Sequence, residues 1–285
     1  MLLAAAAILG YFNPKQALGQ CAELVSIVSL LAHAKIESVA IKGPLLALEL
    51  YGDLGARKSK DIDLVIKPKN IFEADHILQQ QGYQRSFLTP RQLQAHIHWS
   101  KDFVYWHPKK QICLELHWRL FQDWECFSVF DISLQTTELL GVQIKHLSPE
   151  YNLLYLCTHG CESGWSRPQW ALDIQKLLAK YELDWNLIRK EADQWDLAGT
   201  LREGLQIKTG RTGSYVWRWS DWWHKLALRK KFKNKAKVLF SLFVPRLQDF
   251  QALALPDGLF FLYYALRPFI AFKRNKLRHQ QHLPD

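Results

Sequence analysis

Residues 41–68, IKGPLLALELYGDLGARKSKDIDLVIKP, decide the fold of this chain. A β-branched run from Ser38 to Ile41 ends at Lys42-Gly43-Pro44. Pro44 suits the first turn of a helix reaching about Tyr51, because the N–H it lacks would be unpaired there anyway. Gly52 to Lys60 is turn-rich and basic, and Asp61 to Ile66 reads as a strand. Side chains alternate faces along a strand, so Ile62, Leu64 and Ile66 point to a core while Asp61 and Asp63 share the other face. The apolar residues bury this strand without help from either acid, and two carboxylates so placed form a candidate metal site.

Upstream, Leu2 to Ala34 has helical spacing, with Leu24, Ile27, Val28 and Leu31 on one side. Downstream, Asn70 is placed to cap a helix to about Gln81, with Gly82 as its stop. Phe103 to Trp106 and Ile112 to Trp118 are strand-like runs joined by His107-Pro-Lys-Lys-Gln111, which reads as a hairpin turn. From Ser148-Pro149-Glu150 onward the spacing is helical. The expected fold is α+β, a small mixed β-sheet core flanked by helices and followed by an all-helical C-terminal region. Its expected parts are a helical entry over 1–35, a core over 36–147 and a helical domain with a basic tail over 148–285.

The 285 residues, 48% hydrophobic and 22% charged, suit one large domain or two small ones. Of the 37 basic and 27 acidic residues, 16 basic and 4 acidic lie from Lys208 onward, so the formal charge of +10 belongs to the last quarter. Five cysteines without a regular framework fit a reducing compartment. The N-terminal MLLAAAAILG has no Lys or Arg before it and no clear cleavage site, so it reads as a helix start rather than a signal peptide. No apolar run reaches the length of roughly 18 residues that a membrane span needs. The expected location is cytoplasmic, with peripheral membrane contact as a variant. Residues Trp217 to Lys237 mix aromatic and cationic side chains, a pattern that serves RNA, an anionic membrane surface or simply a solvated basic helix face.

The acids acquire partners further along. In Ile112-Cys-Leu-Glu-Leu-His-Trp118 the same alternation turns Ile112, Leu114 and Leu116 to the core and Glu115 and His117 the other way. Asp61, Asp63 and Glu115 then form a candidate triad of hard oxygen ligands for Mg²⁺, with Mn²⁺ as a substitute. His117 reads as a neighbour of the ligands, since hard cations prefer oxygen. Lys42-Gly43 at a strand end before a helix offers a phosphate its backbone, a helix N-terminus and a cation, less the N–H that Pro44 lacks. Arg57, Lys58 and Lys60 could hold nucleotide phosphates, and the fork of Arg57 suits that best. Cys157-Thr-His159-Gly-Cys161 lacks a second ligand pair for zinc. His96-Ile-His98 lacks a third ligand. His159 and Asp173 reach the cleft to position substrate or form a structural pair.

These motifs, Lys42-Gly43, Arg57 to Asp63 and Glu115-Leu-His117-Trp118, resemble the nucleotidyltransferase superfamily with the DNA polymerase β-like core. Within it they resemble an uncharacterised bacterial group. The resemblance covers about residues 36–120, extending loosely to His159 and Trp170-Ala-Leu-Asp173. It implies catalysis and metal binding by Asp61, Asp63 and Glu115, nucleotide binding by Lys42, Gly43, Arg57 and Lys60, and an NTP such as ATP as donor. The nucleoside monophosphate would pass to an acceptor hydroxyl of a protein, metabolite, sugar or RNA with release of pyrophosphate. The chain departs from the superfamily's pattern at Lys42-Gly43, where Gly-Ser is usual, and at Lys60, where a small residue is usual. The alternative expectation is an idle module of the same fold that contacts RNA or an anionic membrane surface through residues 208–285. An intact third acid favours the enzyme.

Overall fold

The computed structural model describes residues 14–121, 127–207 and 219–280. Helix α1 (Pro14–His33) precedes strand β1 (Ser38–Ala40), helix α2 (Gly43–Tyr51) and strand β2 (Asp61–Ile66). Helices α3 (Ile71–Gln80) and α4 (Pro90–Trp99) lead to strands β3 (Asp102–His107), β4 (Ile112–His117), β5 (Leu134–Leu139) and β6 (Val142–Leu147). Helices α5 (Pro149–Glu162), α6 (Pro168–Lys180), α7 (Trp185–Gln194) and α8 (Ala198–Gln206) follow. The last are α9 (Trp219–Ala227), α10 (Phe232–Phe240), α11 (Leu247–Ala252) and α12 (Leu262–Gln280). The architecture is the expected one, a mixed sheet flanked by helices with a helical region after it. The helix expected from Leu2 falls partly on residues 1–13, outside those described.

The sheet runs β3-β4-β2-β1-β6-β5. Strand β2 lies between β1, antiparallel to it, and β4, parallel to it. Because side chains alternate, the sheet buries a different core on each face. Ile62, Leu64, Ile66, Leu114 and Leu116 pack with α1, α3 and residues of α11 and α12. Val39 and Val65 pack on the other face with α5 to α8. The acids of β2 and β4 therefore open toward α5 and α6.

Three local features differ from the sequence reading. Asn70 stands at the start of α3 but makes no side-chain cap. Hairpin β5–β6, unnamed in that reading, turns on Leu140 and Gly141, whose φ of 50° and 78° give the two positive values of a tight primed turn. Leucine there conceals the turn, since Asn or Gly would advertise it. His96 and His98 lie on α4 rather than on a strand, with His96 Nε2 2.8 Å from the Asp102 carbonyl oxygen. Among the described residues, no helix is long and apolar enough to cross a membrane.

Helices α5 and α8 meet where Gly204 lies against Cys157, and a Cβ at 204 would collide with the Cys157 side chain. Gly204→Ala is expected to lower the free energy of unfolding by about 1–3 kcal/mol through overpacking. Urea denaturation reads this directly, and a variant as stable as the parent would show that the two helices can part at this contact.

Candidate active site

The site begins where β1 ends. Ile41 N–H still donates to the Asp63 carbonyl oxygen at 3.3 Å, and the chain must then turn sharply into α2. Gly43 makes the turn at φ 73°, and a Cβ there would come within 3.4 Å of the Asp61 carbonyl oxygen. The turn aims Lys42 at the centre of the sheet. Its Nζ lies 2.8 Å from Asp63 Oδ1. On the other side of β2, the parallel register sets Asp63 opposite Glu115.

Asp63 is 1% exposed and His117 is fully buried. His117 Nε2 lies 3.3 Å from both Asp63 Oδ1 and Glu115 Oε2. Burial opposes the charge on Lys42, yet the Asp63 carboxylate holds its pKa well above the ordinary value. Burial likewise opposes ionisation of Asp63, but Lys42 and His117 keep it well below the usual carboxylate range. For His117, burial and the Lys101 charge work against protonation, and hydrogen bonds to Asp63 and Glu115 outweigh them.

Ligand atoms of Asp63, Glu115 and His117 lie within 4.8 Å of one another, the compact group that could hold a metal among the described residues. This departs from the sequence reading in two ways. His117 enters the group, and Asp61, one pleat earlier on β2, stands outside it. Asp61 is nonetheless held close in charge: burial first, then the Asp63 and Glu115 carboxylates, push its pKa up to about 6.

The carboxylates open into a cleft of about 410 Å³, walled by Lys42, Gly43, Ser59, Asp61 and Glu115 from the sheet side and by His159, Ser166 and Trp170 from the helices. Lys58 and Lys60 also line it and are exposed. A larger cavity of about 510 Å³, lined by Trp99, Trp118, Phe127 and Phe240, contains none of the three acids.

Arg57 takes a different position from the free phosphate fork expected of it. It is buried, and its Nε and Nη2 donate to the Asp173 carboxylate at 2.9–3.1 Å while Tyr51 Oη donates to the same group at 2.8 Å. Asp173, also fully buried, therefore ties the 52–60 loop and α2 to α6. His159 stacks on Tyr155 and meets Trp170 edge-on. Burial, with the charges of Lys42 and Lys101, pushes its pKa well below the ordinary value, so it faces the cleft as a neutral ring.

Two cations of the cleft are not marked by the sequence pattern. Lys101 sits just before β3, and Arg167 is the residue before the first turn of α6. Neither belongs to a motif; only a basic residue at an element boundary marks each.

Residues 11–209 match the family described as "uncharacterised nucleotidyltransferase". No curated protein matches the chain. Three solved structures are similar. A lincosamide antibiotic adenylyltransferase with bound lincomycin is 19% identical, with 56% of this chain and 96% of that chain covered at a TM-score of 0.41. An antigenic nucleotidyltransferase-like protein from Paracoccidioides brasiliensis is 17% identical, with coverage of 64% and 92% at 0.41. The antibiotic-resistance factor ANT(2'')-Ia is 12% identical, with coverage of 64% and 90% at 0.41. The chain belongs to the uncharacterised nucleotidyltransferase family and is an enzyme of that class.

Removing the arginine of the Arg57–Asp173 pair strands a buried carboxylate, so Arg57→Gln is expected to cost about 3–5 kcal/mol in denaturant unfolding. Asp61 yields a pH prediction. Its folded pKa of about 6 lies above that of the free acid, so the native protein binds more protons than the unfolded chain between the two values. Its contribution to stability is present at low pH and lost as pH rises through about 6. In metal-free buffer Asp61→Asn should stabilise the protein by roughly 1–2 kcal/mol at pH 8 and much less at pH 4. An equal effect at both pH values would contradict this.

Proposed function

We propose that this member of the uncharacterised nucleotidyltransferase family transfers a nucleoside monophosphate from an NTP to an acceptor hydroxyl, with Asp61, Asp63 and Glu115 holding Mg²⁺ or Mn²⁺. One observation carries the reading: Asp61 and Glu115, from two adjacent strands, line a basic cleft, and Asp63, with a ligand atom within 4.8 Å of that of Glu115, keeps Oδ2 buried without a hydrogen-bond partner. The donor set fits a hard divalent cation, since carboxylate oxygens are its preferred ligands. Bound there, the ion would neutralise charge on the phosphate oxygens and orient them.

The chain's own residues supply the rest. Lys42 and His117 fix the Asp63 carboxylate from two sides, and His117 also fixes Glu115. The ligands are thus oriented before substrate arrives, which is where most of the rate enhancement in such a reaction originates. The acceptor oxygen bonds to the α-phosphorus, the bond to the bridging oxygen breaks, and pyrophosphate leaves with that electron pair. The acceptor's proton leaves to one of the carboxylates at the cleft floor.

Incubation with each labelled NTP and a cell extract identifies donor and acceptor together. Glu115→Gln and Asp61→Asn should each reduce labelling by about 100-fold or more while the protein stays folded. Asp63→Asn is the less clean test because it also strips Lys42 of its counter-charge. Labelling at the parent rate by both variants would sink the proposal. In addition, the NTP that is used should raise the melting temperature in the presence of Mg²⁺.

A further inference from the structure

Two of the four cations that the sequence offers to a polyphosphate, Lys42 and Arg57, are engaged elsewhere, while Lys58 and Lys60 line the cleft and are exposed. Lys42 is bonded to Asp63, and Arg57 to Asp173, both carboxylates out of water. Withdrawing either cation to meet a substrate would leave its partner charge buried and uncompensated. A triphosphate in this cleft therefore needs counter-charges other than these two.

The cleft supplies them from two different elements. Arg167 makes no ion pair among the described residues and is exposed. Its guanidinium lies over the Trp170 ring, 5.5 Å from the centroid, a contact that orients the fork without consuming its N–H donors. Its charge is felt by Asp61. Lys101 approaches from the β3 side, where its charge is felt by His117. Its side chain is 21% exposed; Asp102 Oδ2 is 3.6 Å away, long for a charge-assisted hydrogen bond, and the charge of Glu162, which also lines the cleft, acts on it as well. The two cations thus bracket the carboxylates, one from the Asp61 side and one from the His117 side. A fork can grip one phosphate group through two oxygens while an ammonium meets another as a point charge.

We propose that Arg167 and Lys101 hold the polyphosphate of the nucleotide, taking the places of Arg57 and Lys42 in the set of Lys42, Gly43, Arg57 and Lys60 that the resemblance implies; this rests on the nucleotidyl-transfer reading above. The experiment is calorimetric titration of the full chain with each NTP and with inorganic tripolyphosphate, in the presence of Mg²⁺. Arg167→Gln and Lys101→Met should each weaken binding of the favoured NTP and of tripolyphosphate by about ten-fold or more. Arg167→Lys should recover only part of the loss, because it restores charge without the fork. Arg167→Gln should melt with the parent, since the side chain is exposed, and it decides the matter by itself if Lys101→Met is destabilised. Unchanged affinities in the variants, with parent binding intact, overturn this assignment alone. Failure of the parent to bind any NTP or tripolyphosphate overturns the nucleotidyl-transfer reading and this assignment with it.

Discussion

Asp63 is an ionised carboxylate with almost no access to water, and the arrangement of the sheet answers to it. Taking such a charge out of water costs several kcal/mol unless partners are held in good geometry. The partners come from both neighbouring strands. The antiparallel pairing of Ala40 with Leu64 ends β1 beside Asp63, so the next residues along can deliver Lys42. The parallel pairing of Asp63 with Glu115 brings His117 from β4. Placing β2 between β1 and β4 is what makes both possible. The left-handed turn at Gly43 then carries the chain away before it crosses its own ion pair.

A second buried pair does for the cleft what the first does for its floor. Asp173 on α6 receives Arg57 from the loop before β2 and Tyr51 from the end of α2. Lys180 and Tyr181 add contacts from the far end of α6 to Glu49 on α2. The helical region is thus fastened to the sheet along the length of one helix. A cleft whose walls are tied in this way presents its charges in fixed positions, and positioning is most of what phosphoryl-group chemistry asks of a protein. The same geometry explains why Arg57 reads as a phosphate ligand and sits as a strut. An arginine shortly before paired acids has the right charge in the right place, but only the fold reveals that Asp173, more than a hundred residues on, has claimed it.

What was legible in the sequence follows from period. Strands β2 and β4 alternate cleanly, so the facing of Asp61, Asp63 and Glu115 and the burial of Ile62, Leu64 and Leu116 could be read from spacing alone. Lys42-Gly43-Pro44 announced its turn because only glycine tolerates the backbone required and only proline loses nothing at the helix start. Counter-charges were not legible, since spacing along one strand says nothing about which distant side chain arrives from the next element. For that reason the spacing marks His117 only as a neighbour of the ligands and does not mark Lys101 or Arg167 at all. Hairpin β5–β6 was hidden for a local reason: Leu140 occupies a conformation that turn chemistry reserves for glycine or asparagine.

Within the site the charges are layered. At the floor, Asp61, Asp63 and Glu115 face Lys42 and His117; Lys42 is paired with Asp63, and burial together with the Asp63 and Glu115 charges raises the proton affinity of Asp61. Around them the cleft is lined by Lys58, Lys60, Lys101 and Arg167, with Glu162 as an acid among these charges. A free anion attracted by the lining cations would be opposed by the floor, and a free cation attracted by the floor would have to pass them. A polyphosphate carrying a divalent cation, as the proposed function has it, would satisfy both layers at once. On the proposed nucleotidyl-transfer reading the layering would select for the complex over either component, through positions that two buried ion pairs hold in place.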